Sequence, residues 1–221
     1  MAMSQPSDPA YWHPRQCLRD PIPEIFFAAR QLGEAAEAYL DQNFERARRI
    51  IIETDLPVIR EWIESLWGSV RDNPDQKHYL RQRPLVPEPK KLPPDQREKL
   101  RMPSAARKAE VYSRDGWHCR YCGIPLIHTE ARKVLQRKFP VELRWGSNNL
   151  SRHPAFQAMT PEFEHVVPHC YGGTNNPENA VTACGPCNCG KYDRLLDQHG
   201  LLDPRLRAPK VSSWDGLIRL I

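Results

Sequence analysis

Two Cys-x-x-Cys pairs are the residues of this chain whose spacing indicates a specific chemistry. They are Cys119 with Cys122, and Cys184 with Cys187. Four thiolates form a tetrahedral ligand set for zinc, and a zinc site with four protein ligands is closed and structural. The sequence therefore predicts one structural zinc, which fixes the segment between the two pairs and the residues just after them.

A series of histidine, carboxylate and amide side chains lies in that segment. It comprises Glu164-His165-Val166-Val167-Pro168-His169, then Gly172-Gly173, then Pro177-Glu178-Asn179, and finally Asn188 and Lys191 after the second Cys pair. Histidine titrates near neutral pH and is suited to taking a proton from water. A divalent metal beside it would neutralise the charge that develops when a phosphodiester is attacked.

The order and spacing of these motifs resemble those of the HNH endonucleases, a group with a ββα-metal active site. The resemblance runs from Arg107 to about Arg194, roughly two-fifths of the chain, and includes Arg114-Asp115-Gly116. It implies an α+β fold, in which a ββα-metal HNH nuclease domain stapled by a structural zinc follows a small all-α N-terminal unit. It also implies a metal-dependent endonuclease that hydrolyses DNA, with Mg²⁺ or another divalent cation as the catalytic cofactor.

The resemblance also implies a role for each site residue. His165 is expected to be the general base at the end of the first strand, and Asn179 to anchor the loop and orient His165 by a hydrogen bond. Glu164 and Asn188 are expected to hold the catalytic metal. Glu164 stands where the family often has Asp, so its binding can be direct or through a water.

Two further residues are candidates for phosphate contacts. His169 either holds the scissile phosphate or is a surface histidine after a strand. Lys191, one helical turn after Asn188, contacts either backbone phosphate or the metal-bound carboxylate. Both stay open at the level of sequence.

One other class of function competes with the nuclease. It is a zinc-stabilised nucleic-acid-binding module without catalysis, which would not need His165, Asn179 and Asn188 together. A third hypothesis concerns the setting of the nuclease, which would be the effector of a bacterial restriction or anti-phage system, with the N-terminal unit as its docking element; it rests on analogy alone.

Positive charge is concentrated in one stretch. Residues 76–108 hold 10 Lys and Arg against 3 Asp and Glu, whereas residues 1–75 hold 8 against 13. A local basic block attracts polyanions. It predicts phosphate contacts with DNA, the alternative being a solvated linker.

Proline content and hydrophobic spacing divide the chain into segments. They are an irregular arm (1–22), a helical unit (23–70), a Pro-rich basic linker (71–103), the nuclease domain (104–195) and a C-terminal tail (196–221). Apolar spacing predicts helices over 25–40 and 44–52, and a third from about Asp55 to Gly68 with Trp62 in the core. So small a unit is marginal alone, so it should pack on the nuclease domain, on a second copy or on another protein.

The segment 126–161 separates the first Cys pair from Glu164. Its pattern predicts a helix over 129–138 and a strand from Val141 to Trp145, and a further helix is predicted from Ser104 to Arg114. The segment is basic, so it either contacts substrate or supports the fold.

Cysteine use and hydropathy bear on the compartment. Cysteines committed to metal fit a reducing cytosol better than a secreted disulfide framework. The sequence shows neither a signal peptide nor an apolar run of membrane-spanning length. A cytoplasmic protein without membrane contact is expected.

Overall fold

The structure is a computed structural model that describes residues 14–67, 86–99 and 102–221. The described residues contain seven α-helices and one two-stranded antiparallel sheet, so the fold class is α+β. None of these helices combines the length and the apolar character needed to cross a membrane. The predicted end of the third helix at Gly68, most of the N-terminal arm, and residues 76–85 and 100–101 of the basic stretch lie outside the described residues.

The helices and strands follow one another in a mixed order. The helices are α1 (Pro23–Leu40), α2 (Phe44–Glu53), α3 (Pro57–Trp67), α4 (Ala105–Arg114), α5 (Thr129–Lys138), α6 (Pro154–Ala158) and α7 (Gly185–Lys191), and the strands are β1 (Pro161–His165) and β2 (Ala180–Cys184). In the sheet Glu164 lies opposite Val181, and His165 lies opposite Ala180. The helix α7 begins directly after β2, so β1, β2 and α7 form a consecutive unit.

The first three helices agree with the predicted ones to within a few residues. Asn43 caps α2, with its side chain accepting from the backbone N–H of Arg46 at 3.2 Å, as short polar residues do at helix starts. Trp62 is a core residue as predicted, 1% exposed, and its indole N–H donates to the carbonyl of Asp20 at 2.8 Å.

The N-terminal helices share one continuous hydrophobic core with the C-terminal half of the chain. Helix α3 packs on α6 and α7. The approach to α7 is close at Gly190, where a Cβ atom would lie 2.8 Å from Leu18 Cδ1 and 3.2 Å from the carbonyl oxygen of Leu66. The predicted partners of the helical unit were the nuclease domain, a second copy or another protein. In the structure it packs on the remainder of its own chain.

The predicted strand from Val141 to Trp145 is wrong. The backbone N–H of Leu143 donates to the carbonyl of Phe139 at 2.9 Å and closes a turn. Leu143 points into the core while Val141 is 80% exposed, so the alternating pattern comes from a turn. Only Trp145 forms a β-bridge, with Arg152.

Basic residues of segment 126–161 are engaged within the molecule. The guanidinium groups of Arg132 and Arg152 lie 3.9 Å and 5.0 Å from the centre of the Trp145 ring, a favourable cation–π arrangement. Arg144 forms an ion pair with Asp55, with Nη2 3.0 Å from Oδ1. These contacts favour the interpretation that the segment supports the fold.

The C-terminal residues return to the core. Leu217 and Leu220 are buried, and the indole N–H of Trp214 donates to the carbonyl of Leu126 at 2.7 Å. Residues 196–221 therefore form part of the packed molecule.

Candidate metal centre and active-site cleft

The four predicted zinc ligands converge. Cys119 and Cys122 lie in the loop between α4 and α5, Cys184 ends β2, and Cys187 lies in the first turn of α7. All four are buried and their Sγ atoms lie within 4.8 Å of one another, with Cys122 and Cys184 3.7 Å apart. Zinc–sulfur bonds of about 2.3 Å in a tetrahedron place the sulfurs about 3.8 Å apart. The cluster is therefore of the right size and chemistry to hold a zinc ion.

The thiols of this cluster cannot all ionise without a cation. Burial acts to raise the pKa of Cys119, but hydrogen bonds from the three neighbouring thiols outweigh it and hold that pKa well below its usual range. Burial raises the pKa of Cys184 well above its usual range. A zinc ion would displace the remaining protons, because it binds thiolates.

A buried carboxylate fixes β2 beside this centre. Asp115 is fully buried and accepts from the backbone N–H of Thr182 at 2.7 Å. It also pairs with Arg120 at 3.0 Å and with Arg114 at 2.9 Å. Arg114 in turn donates to the carbonyl of Ala180 at 2.8 Å. In the sequence, Arg114-Asp115-Gly116 contributed only to the resemblance and did not predict this role of Asp115. The adjacent opposite charges of Arg114 and Asp115, close before Cys119, could have indicated a structural ion pair.

A cleft of about 510 Å³ lies beside β1 and α7. It brings together four of the predicted site residues: Glu164, His165, His169 and Asn188. A cavity of about 590 Å³ between α1 and the C-terminal residues contains none of the predicted site residues. The chemistry therefore points to the first cleft.

His165 is held by Asn175. Its Nε2 lies 2.9 Å from the amide oxygen of Asn175, and its ring packs edge-on against Phe163 at 5.2 Å between centroids. An amide oxygen only accepts, so Nε2 carries the proton of the neutral ring and Nδ1 is left to accept one. Burial lowers the pKa of His165, and the bond to Asn175 partly offsets this. The ring is therefore neutral near pH 7, as a base requires.

Asn179 anchors the loop after β1, but the predicted hydrogen bond from Asn179 to His165 is not the one observed. Its amide oxygen accepts from the N–H of Val167 at 3.0 Å, and its amide nitrogen donates to the carbonyls of Val167 and Thr174 at 3.1 and 3.0 Å. Both the oxygen and the nitrogen of the Asn179 amide therefore bond to the backbone of the loop. With the loop held by Asn179, Asn175 lies next to the imidazole of His165. The sequence alone does not show which of the polar residues in this loop is the partner of His165.

Glu164 and Lys191 form a buried ion pair. Glu164 is 4% exposed and Lys191 is 1% exposed, with Oε1 and Nζ 2.7 Å apart. Glu164 Oε1 and Lys191 Nζ form an ion pair, but their angles do not meet the geometry of a hydrogen bond. Burial raises the pKa of Glu164 to about 7, against the opposing effect of Lys191. Of its two predicted contacts, Lys191 makes the one to the carboxylate.

The donor atoms around the cleft suit a hard divalent cation. The side chain of Asn188 lines the cleft and makes no hydrogen bond to another residue in the described part of the chain. Glu164 lines the same cleft, although Lys191 already engages its carboxylate. Among the described residues only the cysteine cluster unites three or more Cys, His or acidic ligands. A cation here would complete its shell with water and substrate oxygens, as Mg²⁺ commonly does.

Replacing Lys191 with Met is expected to destabilise the protein by about 3–5 kcal/mol, because it leaves the buried Glu164 carboxylate unpaired. Urea unfolding of the zinc-loaded protein measures this. The double variant Glu164→Leu with Lys191→Met should recover most of the loss, since an apolar pair needs no compensation. A Lys191→Met protein that unfolds at the wild-type urea concentration would show that the pair contributes nothing.

Residues 86–99, called the strap from here on, lie against the loop 168–176. The strap is mostly exposed, as predicted for a linker, but the N–H of Leu92 donates to the carbonyl of Cys170 at 2.8 Å. At Gly172, whose φ is +86°, a Cβ atom would lie 3.0 Å from Leu92 Cδ1. Arg97 lines the cleft from the strap. The linker thus lies at the cleft, and its basic composition predicted phosphate contacts but not this packing against the loop.

Comparison with protein-family models, with curated proteins and with solved structures finds no significant match to this chain. Family membership is therefore not shown, and the chemistry of the cleft carries the functional conclusion.

Proposed function

We propose that this protein is a metal-dependent endonuclease that hydrolyses DNA phosphodiester bonds in the cleft around His165. The observation that supports this proposal most strongly is the environment of His165. His165 has a partly buried, neutral imidazole whose Nε2 is fixed by Asn175 and whose Nδ1 is left to accept a proton. It shares its cleft with the oxygen donors Glu164 and Asn188.

Each residue around the cleft has a task in this proposal. His165 takes a proton from the attacking water. Glu164 and Asn188 would hold a divalent cation, which supplies neutralisation of the charge on the phosphate and the leaving oxygen. His169 donates through Nε2 to the carbonyl of Glu98 at 2.8 Å. Its Nδ1 can therefore donate to a phosphate only when the ring is doubly protonated.

The order of the elements supports the resemblance to the HNH endonucleases. Glu164 and His165 end β1, β2 returns antiparallel to it, and Asn188 lies in the helix that follows at once. A zinc ion on the four cysteines would tie β2 and α7 to the loop after α4. The proposed base and oxygen donors would then sit on a frame that is closed by metal.

A second candidate function is a zinc-stabilised nucleic-acid-binding module without catalysis. The observation that favours it is the ion pair of Glu164 with Lys191, which competes with a cation for the carboxylate. The anti-phage effector role stays a prediction. Trp62 of the N-terminal unit is buried in the protein's own core, so its side chain is not exposed for docking.

Incubation of zinc-loaded protein with supercoiled plasmid and Mg²⁺, Mn²⁺ or Ni²⁺ tests the proposal. Conversion to nicked or linear DNA that stops when the added cation is chelated is the expected result. Gel-shift binding in the same tubes, without conversion under any of the three cations, would favour the binding module.

Replacing Asn188 with Ala is expected to raise the cation concentration for half-maximal cleavage by about tenfold or more, because it removes an oxygen donor and leaves the base intact. A cation titration of the plasmid-cleavage rate measures the shift. Tyr192→Phe is the matched control, since Tyr192 lines the same cleft, is 74% exposed and should leave the midpoint unchanged. Equal midpoints for Asn188→Ala and wild type would remove Asn188 from the cation site.

A further inference from the structure

The strap reaches the loop 168–176, which carries His169 and follows the strand that ends at His165. The carboxylate of Glu98 accepts from the backbone N–H of Asn175 at 2.7 Å, through Oε2. The backbone carbonyl of the same residue accepts from Nε2 of His169 at 2.8 Å. One strap residue therefore holds the loop at two points.

These contacts connect Glu98 to the proposed base through one intermediate. The backbone N–H of Asn175 donates to the carboxylate of Glu98, and the side-chain oxygen of Asn175 accepts from His165 Nε2 at 2.9 Å. Fixing the backbone of Asn175 restricts where its side chain can reach. The orientation of the imidazole thus depends on a residue 67 positions earlier in the chain.

The strap is anchored before it reaches Glu98. Lys91 pairs with Asp193 at 2.7 Å, and Glu88 accepts from the hydroxyl of Tyr171 at 3.0 Å. The guanidinium Nε of Arg97 donates to the carbonyl of Leu92 at 2.8 Å and folds the strap on itself. Anchors on both sides of Leu92 therefore fix the path of the strap along the loop, which a solvated linker would not have.

We propose that the strap belongs to the active site, together with β1 and α7, and that Glu98 is a positioning residue for His165. Glu98 holds Asn175, and Asn175 fixes the imidazole so that Nε2 stays occupied and Nδ1 stays free for the proton of water. This inference rests on the proposed nuclease function. A group that supports a catalytic histidine in this way typically changes activity 10–100-fold, as an order of magnitude, when removed.

Three variants separate positioning from charge and from stability. Glu98→Ala removes the acceptor for Asn175, whereas Glu98→Gln keeps an oxygen in its place. Asp95→Ala removes the same charge from the same strap, at an exposed residue whose side chain has no hydrogen bond to any other described residue. We expect Glu98→Ala to lower kcat on plasmid by about 10–100-fold at unchanged KM. Glu98→Gln and Asp95→Ala should stay near wild type.

A second readout does not depend on cleavage. In ¹⁵N NMR spectra, Glu98→Ala should speed hydrogen exchange of the Asn175 amide and shift the His165 Nε2 resonance, and Glu98→Gln should restore both. Wild-type kcat and wild-type signals in Glu98→Ala would overturn the role of the strap and leave the nuclease proposal standing. Equal losses in Glu98→Ala and Glu98→Gln, with lower melting temperatures, would also overturn it, because they indicate support of the fold alone.

If the wild-type protein cleaves no plasmid, the proposed nuclease function fails, and the NMR comparison still decides whether Glu98 orients His165. The two failures are therefore distinguishable.

Discussion

Replacing Cys184 with Ser is expected to abolish zinc binding and to unfold the C-terminal half of the molecule. Cys184 ends β2, is fully buried, and accepts from the backbone N–H of Cys187 at 3.4 Å. Structural zinc contributes about 10–16 kcal/mol of apparent binding free energy, which is coupled to folding. That is comparable with the whole stability of a typical domain, about 5–15 kcal/mol. The continuous core extends the effect to the N-terminal helices.

Elemental analysis and circular dichroism measure this outcome. Wild-type protein should contain one zinc per chain and lose helical signal when a strong chelator removes it. Cys189→Ser is the matched control, since Cys189 is an exposed thiol next to the ligands and should keep both zinc and fold. A Cys184→Ser protein with one zinc and the wild-type melting temperature would contradict the assignment of the ligands.

Replacing His165 with Ala is expected to slow DNA cleavage by about 10²–10⁴-fold, the usual effect of removing a general base. Zinc content, melting temperature and DNA affinity should stay near wild type, because the imidazole is only partly buried and its hydrogen bond is to Asn175. Added imidazole should restore part of the rate by replacing the missing base in the cleft.

His128→Ala is the control for this variant. His128 caps α5, where its ring accepts from the N–H of Glu130 at 3.0 Å, and it does not line the cleft. Its loss should lower stability by about 1 kcal/mol and leave the cleavage rate unchanged. A His128→Ala protein as inactive as His165→Ala would attribute both losses to folding.

Local sequence patterns predicted the parts of this fold that depend on local physics. Apolar spacing predicted α1 to within two residues of its start, and the predicted helix over 129–138 has the bounds of α5. Ser104 caps α4 as predicted, accepting from Arg107 N–H at 3.2 Å. Two Cys-x-x-Cys pairs were enough to predict the cysteine cluster, because zinc-binding knuckles have a fixed ligand spacing. The Val141–Trp145 error arose because an alternating pattern also fits a turn with one buried leucine.

Contacts between residues distant in sequence could not be read in the same way. Glu98 bonds to Asn175 across 77 positions. Lys191 was placed near the carboxylate or a phosphate, and only its burial beside Glu164 decides between them. The choice of Asn175 over Asn179 as the partner of His165 depends on how the clamped loop folds back. Such contacts follow from packing, which a single sequence does not specify.

One ratio of rates decides whether the cleft at His165 hydrolyses DNA. It is the first-order rate of plasmid cleavage by wild-type protein divided by the rate for His165→Ala, at equal zinc content, equal divalent cation and excess protein. We expect a ratio of about 10²–10⁴ and no cleavage by either protein when the added cation is chelated. A ratio near one would contradict the proposed function, because any cleavage observed would then come from outside this site.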